Sequence, residues 1–364
     1  MEGPAAALGG PAAGSGTLGV RAGQGLGTLR RAGGLAVSLA TIPITLFGLV
    51  VVTFLIGRVM PIDPVLAIVG DRATGDVVAR TRLELGLDRP LPEQFLRYAG
   101  QLLHGDLGRS VATSNPVTAD IARFFPATLE LATAALLVAV LLGVPLGVWA
   151  AVRQGRWVDM AIRVVCLAGH SVPVFVLALL ALLVFYKTLH WAPGPGRQGI
   201  MFDGMTEQRT GLLLVDTALA GEWDAFRDAL RQMALPALVL GLSNMAYIAR
   251  MTRGFMLDAL RGEWVITARA KGLSAAAVVW RHAFGNILVR LVTVLALTYA
   301  GLLEGAVLTE TIFAWPGLGQ YLTQSLLNAD MSAVLGATLV VGLTYVGLNL
   351  FSDLMYRVLD PRVR

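Results

Sequence analysis

Long apolar runs limit this chain more than any other feature. Val37–Ile56, Leu129–Val152 and Val334–Leu354 are the clearest, and others lie between them. Several approach or exceed the roughly 18 mostly apolar residues that a bilayer-spanning helix needs. The 364 residues are 55% hydrophobic and 15% charged, whereas soluble domains run nearer a quarter charged. A single soluble core this apolar would leave too little polar surface to stay in solution. The chain reads as an all-α membrane protein.

The arginines set the expected topology. Arg30 and Arg31 precede the first apolar run. Arg153 and Arg156 follow the second, Arg250, Arg253 and Arg261 the fourth, and Arg357, Arg362 and Arg364 the last. Short cytoplasmic loops collect Lys and Arg, so six spans with both termini in the cytoplasm satisfy this distribution. The spans are expected near Val37–Ile56, Leu129–Val152, Asp159–Phe185, Leu235–Arg250, Ile287–Leu308 and Val334–Leu354.

The domains follow from that topology: a disordered cytoplasmic tail over 1–34, a first transmembrane helix over 35–58, an external helical region over 59–126, a core of five further spans over 127–358, and a short cytoplasmic tail over 359–364. The tail is Gly-, Ala- and Pro-rich and cannot bury enough surface to offset its ordering entropy. In the external region, Thr74–Leu87 and Pro92–Leu103 have helical periodicity. Thr74 is placed to cap the first, and Pro92 sits in the first turn of the second. A small helical cap between spans 1 and 2 is expected. The segment His190–Arg231, with its Pro193–Gly196 turn, is expected outside, as is a re-entrant stretch over Thr311–Asp330.

The net charge of +5 follows from cations at helix ends and points to a lipid membrane, not to nucleic acid. Cys166 is the only cysteine, so no disulfide framework can form within one chain. His104, His170, His190 and His282 lie in different segments, and no metal-ligand spacing is present. Lys187 and Lys271 are the only lysines, and neither follows the glycines of a nucleotide loop. Ser171 beside His170 suggests a nucleophile, but neighbours on a helix point apart and there is no Gly-x-Ser-x-Gly elbow.

Glu304 lies in an otherwise apolar span, LTYAGLLEGAVL. A carboxylate there must face a partner, a cavity or water. It either lines a pathway and meets a cationic substrate group, or is satisfied by a neighbouring helix. Glu310, further along, is expected at the external interface. Pro173 and Pro236 are expected to kink or bound spans, with Pro173 a second pathway candidate. Gly301 and Gly305, four apart, would allow close helix approach.

The loop over 255–286 is the last distinctive stretch. Its WVITARAKGLSAAAVVWRHAF (Trp264–Phe284) sits between apolar runs yet carries Arg269, Lys271, Arg281 and His282. It is either a solvated basic connection or a helix–turn–helix. In the second case Ile266–Lys271 forms one arm, Gly272 makes the bend through positive φ, and Ser274 caps Ala275–Phe284. The small Ala268 and Ala270 would let a partner approach, and Arg269 and Lys271 would supply charge-assisted contacts.

ARAKGLS (268–274) followed by RHAFGN (281–286) resembles the cytoplasmic signature of permease subunits of binding-protein-dependent ABC importers. The nearest likeness is the first permease of the dipeptide/oligopeptide branch, which includes nickel permeases. GDLGRS (105–110), PATLELA (126–132), GVPLGV (143–148), SVP (171–173), LPALVLGL (235–242), IARMTR (248–253), ETIFAWPGLG (310–319) and DPRVR (360–364) resemble that branch in the same order. Ile266, Thr267 and Ala268 stand where the wider superfamily often has Glu-Ala-Ala, and Gly285, Arg290 and Glu304 also depart from the pattern.

The resemblance implies a type I ABC importer permease bundle in the bacterial cytoplasmic membrane. It implies pairing with a second homologous permease, two ATP-binding subunits on the cytoplasmic loops, and a solute-binding protein outside that delivers short peptides. Thr267, Ala268, Arg269, Ala270, Lys271 and Gly272 would form the coupling helix. ATP and magnesium would be bound by the ATPases, leaving this chain without cofactor or enzymatic activity. An importer of nickel or another small solute remains open, as does an ion-driven secondary transporter using Glu304.

Overall fold

The computed structural model describes residues 42–58, 64–70, 72–84 and 86–359. The tail expected over 1–34 and the terminal DPRVR lie outside the described residues. The chain divides into two compact units, Met1–Leu49 and Val50–Arg364; of the first, residues 42–49 are described, all helical.

Helix α1 covers Ile42–Arg58. Three short helices follow where the external cap is expected: α2 (Pro64–Val69), α3 (Gly75–Glu84) and α4 (Leu91–Leu103). Helix α4 packs on residues 53–58. Tyr98 donates to Thr53 at 3.2 Å, Phe54 meets Phe95 edge-on at 5.4 Å, and Arg58 Nε donates to Gln94 at 2.7 Å. Thr74 precedes α3 and its carbonyl accepts the first amides, while Pro92 lies in the first turn of α4, as the patterning predicts.

Helices α5, α9, α11 and α13 are longer than their apolar runs. Helix α5 is Val117–Val152, α6 Trp157–Ser171, α7 Val174–Ala181, α8 Leu213–Ala220 and α9 Trp223–Leu260. Next come α10 (Glu263–Ala270), α11 (Phe284–Ile312), α12 (Leu318–Leu327) and α13 (Met331–Leu359). Helix α7 continues as a π-helical turn over Leu182–Thr188, and a second π turn, Ala277–Ala283, leads into α11. The only β pairing among the described residues is an isolated bridge between Arg109 and Pro116.

Four helices are long and apolar enough to cross a bilayer: α5, α9, α11 with its π turn, and α13 over Met331–Ser352. The third expected span is two helices, α6 and α7, bent by 91° at a break just before Pro173; counted as one span, they make five. Helix α1 lies within the first expected span, Val37–Ile56, and its described residues, Ile42–Arg58, form a shorter apolar helix that is not counted among these five. Prolines mark span boundaries poorly here. Pro126 and Pro145 lie inside α5 and Pro236 inside α9. Only Pro173, preceded by an extended residue, ends a helix.

Helices α5 and α9 form the axis of the bundle and run parallel. A Cβ added at Gly143 would come within 2.9 Å of the Met245 carbonyl, and one at Gly147 within 2.5 Å of the Ala249 carbonyl. From the other side, a Cβ at Gly241 would lie 2.8 Å from the Ala135 carbonyl. The two backbones therefore touch over three successive levels, an approach that small residues permit. Antiparallel α11 closes one side. Leu302, Leu303 and Ala306 pack with Leu131 and Leu240 toward one end, and Ile287 and Leu291 with Val148 and Met256 toward the other.

Gly301 and Gly305 do not mediate such an approach. Both are exposed, and a Cβ at either meets nothing within 4 Å.

Candidate functional site

The basic loop is a compact hairpin. Helix α9 ends at Leu260, and after Gly262 the chain enters α10. Gly272 follows the helix with φ +81°, and two bonds close the end. Gly272 N donates to the Arg269 carbonyl at 2.9 Å and Leu273 N to the Ala268 carbonyl at 3.2 Å. This pair is a Schellman motif, which needs a left-handed residue and so favours glycine. Ser274 Oγ then accepts the Ala277 amide at 3.3 Å, as expected of a cap.

Beyond Ser274 the second arm does not remain separate. It passes through the π turn and fuses with α11, so the hairpin joins two membrane helices without a slack linker. Inward, Val265 and Ala268 pack on Val278, beside Trp264. Trp264 also packs against the core cluster of Val148, Met256 and Ile287, and lies 6.4 Å, ring to ring, from His282.

Outward, Thr267, Arg269, Ala270, Lys271 and Gly272 are exposed, as is Ile266 at 71%. Ala268 is the exception among the expected contact residues. It is buried in the hairpin, because its place on α10 repeats that of Val265 one turn earlier, so it supports the arm and does not present a surface. Arg290 spans the base, with its guanidinium 5.0 Å from the Phe255 ring and 4.0 Å from Asp258.

At the opposite end, three acids pin the re-entrant segment. Glu310, near the end of α11, is fully buried (0% exposed). It accepts the Thr128 hydroxyl at 2.6 Å and the amides of Gly319 and Gln320 at 2.8 and 3.0 Å, at the N-terminus of α12. A side chain at Gly317 would collide with this carboxylate. Asp330 accepts Ser110 Oγ at 2.6 Å, and Asp120 accepts the Tyr321 hydroxyl at 3.2 Å. Trp315, buried, donates to the Ala127 carbonyl at 2.9 Å.

Glu130 binds Arg197 at 2.6 Å, and Arg197 reaches the Gly211 carbonyl and the Trp315 ring, fastening the long loop before α8. From the first turn of α8, Asp216 accepts from Thr210 Oγ1 at 2.8 Å and from the amides of Thr210 and Gly211 in that loop. Burial raises its pKa, but these bonds outweigh it and hold the carboxyl below its usual range.

Glu304 is exposed on α11 and has no hydrogen-bond or ion-pair partner among the described residues. It borders a cavity of about 150 Å³ with Thr128, Leu303, Leu318, Leu322 and Tyr345. Pro173 does not line that cavity; it is exposed at the α6–α7 break, next to Val174, which packs on Leu302 and Leu303. The two pathway candidates are thus near the same cluster but not in one site. Ser171 gives its hydroxyl to the Leu167 carbonyl at 2.8 Å, a helix backbone bond and not a catalytic one.

A bundle of long apolar helices joined by an exposed cationic hairpin defines a multi-span membrane protein. Comparisons with known proteins identify its kind. The model of the binding-protein-dependent transport system inner membrane component matches residues 143–364, and its N-terminal companion matches 30–132. The chain is 44% identical to the probable D,D-dipeptide transport system permease protein DdpB of Escherichia coli K12, over 87% of this chain and 93% of that one. It is 43% identical to the di/tripeptide transport system permease protein DppB of Pseudomonas aeruginosa, over 88% and 95%. Among solved structures, the inward-facing MetNI methionine ABC transporter superposes with a TM-score of 0.51 at 18% identity, covering 68% of this chain and 99% of the other. The chain belongs to the binding-protein-dependent transport system inner membrane component family. It is a membrane component of a transport system, not an enzyme.

Proposed function

We propose that this chain is the permease subunit of an ATP-driven importer of short peptides. In this reading it spans the bacterial cytoplasmic membrane six times, with α1 as the first span. It forms the pathway with a second homologous permease. Two ATPases, which bind ATP and magnesium, dock at the hairpin, and a solute-binding protein docks at the opposite, external face.

The observation that carries this reading is the hairpin. Its cationic and apolar outer face is exposed, its bend is held by a Schellman motif, one arm is joined to α9 through Arg261 and Gly262 alone, and the other runs directly into α11. Movement imposed on Arg269–Gly272 is therefore passed to α9 and α11 as rigid-body motion. The dipeptide permeases to which the chain is 43–44% identical support peptide as cargo. The unpartnered Glu304 supports a carboxylate-bearing pathway face on α11 that would meet a cationic group of the cargo, the α-ammonium of a peptide included.

Purification of the tagged chain from its native membrane, with mass identification of what accompanies it, tests the assembly. Reconstituted uptake of labelled dipeptide then tests the cargo. ATP-dependent uptake competed by dipeptides and not by nickel chelates is expected. Competition by chelates alone would move the cargo to the metal branch. Uptake driven by an ion gradient with no ATPase present would overturn the reading.

A further inference from the structure

At the hairpin end of the bundle, a cavity of about 500 Å³ opens between α6 and α9, away from the hairpin and from Glu304. Its charged lining is Arg163, Arg250 and Arg253; the remaining wall is apolar, with Ile162, Leu167 and Ala246 among its residues. One carboxylate holds two of these three guanidiniums, those of Arg253 and Arg163. Asp159, 1% exposed at the side chain, takes Arg253 through two bonds of 2.7 and 2.8 Å. Arg163 approaches the same acid at 3.5 Å with more than half its side chain exposed. Arg250 lies over the Tyr247 ring at 5.8 Å. No acid lines the cavity itself, so with Asp159 set against its three arginines it keeps a formal surplus of two positive charges.

The depth of this surplus identifies what would neutralise it. Helix α9 has 38 residues, about 57 Å at 1.5 Å per residue, while the hydrocarbon core is about 30 Å thick. With the middle of α9 near Gly241 at mid-bilayer, the core ends about ten residues on. That places Arg250 and Arg253 at the level of the lipid phosphates. From the cavity an apolar stripe runs along one face of α6: Met160, Val164 and Leu167 are 60%, 60% and 67% exposed and share a face by their three- and four-residue spacing. A soluble anion has no use for such a stripe; an acyl chain has.

We propose that this cavity binds the phosphate of an anionic phospholipid, with Arg163 and Arg250 as its contacts and the Met160–Val164–Leu167 stripe along the acyl chain. Arg253 is committed to Asp159 and holds the α6–α9 frame. The inference is independent of the cargo and needs only that the chain sits in a bilayer.

Native mass spectrometry of the delipidated full-length chain, offered equal phosphatidylglycerol and phosphatidylcholine, tests it. The wild type is expected to retain phosphatidylglycerol preferentially. The double variant Arg163→Gln/Arg250→Gln is expected to lose that preference by about thirty-fold, at roughly a factor of five per arginine near an anionic headgroup. An unchanged preference, or none in the wild type, would overturn the proposal. Glycerol phosphate competing as well as phosphatidylglycerol would reduce the site to a soluble-anion site and overturn the lipid assignment. Should the double variant fail to fold, a photoreactive phosphatidylglycerol on the wild type decides. Adducts within 160–167 and 246–254 are expected; adducts only elsewhere, or a photo-crosslinker at Val164 capturing the second permease, would overturn it.

Discussion

Glu310 on α11 receives the Thr128 hydroxyl of α5 at 2.6 Å, and the same threonine oxygen accepts the Leu318 amide at 2.7 Å. Two helices distant in sequence thus share one cap for the start of α12. Replacing Glu310 with Ala would orphan the Thr128 hydroxyl and the Gly319 and Gln320 amides, each at roughly 1–3 kcal/mol. The thermal midpoint of the purified chain in detergent is expected to fall steeply. Glu310→Gln keeps an acceptor oxygen and should lose about half as much.

Gly272 bends the hairpin at φ +81° with open space around it. The obstacle to a side chain there is backbone conformation, which costs an L-residue roughly 1–2 kcal/mol and more when β-branched. Gly272→Val is expected to abolish peptide uptake while the amount of chain in the membrane stays constant. Gly272→Asn, which tolerates the left-handed region, should retain a substantial part. Full uptake by the valine variant would remove the coupling assignment.

Glycines of equal spacing should respond in opposite directions. At Gly147 a Cβ would press on the Ala249 carbonyl, so Gly147→Ala should destabilise the isolated chain by about 1–3 kcal/mol. At Gly305 nothing lies within 4 Å, so Gly305→Ala should be neutral or stabilising by about 0.5–1 kcal/mol. Melting curves of the two variants against wild type check both signs.

Asp216 provides the pH test. Its folded pKa is depressed, so its contribution is complete above the unfolded value of about 3.9 and is lost as pH falls through the lower folded value. Limited proteolysis of the loop over 206–222 is expected to accelerate only at acid pH. Asp216→Asn should already be susceptible at pH 7 and show little further change.

Glu304→Gln removes the charge on α11 without changing its shape. With no partner among the described residues, the variant should melt as wild type does, while transport rate or cargo preference shifts. A fall in recovery of the assembled complex with unchanged transport per complex would return Glu304 to a structural role.

The hairpin was legible in the sequence because its signals are local: Gly272 at the bend, Ser274 three residues before the amide it caps, and cations beside them. The acids were not. Glu304 and Glu310 sit six residues apart on one apolar helix, and nothing in their periodicity tells which is buried. That is decided by α12 folding back so that its first amides point at Glu310. The glycines failed in the same way. Gly301 and Gly305 have the spacing of Gly143 and Gly147, but only the second pair faces another backbone. Pro236 does not bound its span because packing between α5 and α9 sustains the helix through a missing donor. Pro173 has no such support and breaks it.

The glycine contacts between α5 and α9 have a mechanical consequence. Two rods that approach at backbone level at Gly143, Gly147 and Gly241 are also locked by Ile248, Thr252 and Val138, whose side chains seat against those glycines. A push delivered where α9 leaves the hairpin cannot be absorbed by slippage along that seam. If the hairpin is where a partner pushes, as proposed, that push would tilt both rods together and carry movement from one mouth of the bundle to the other.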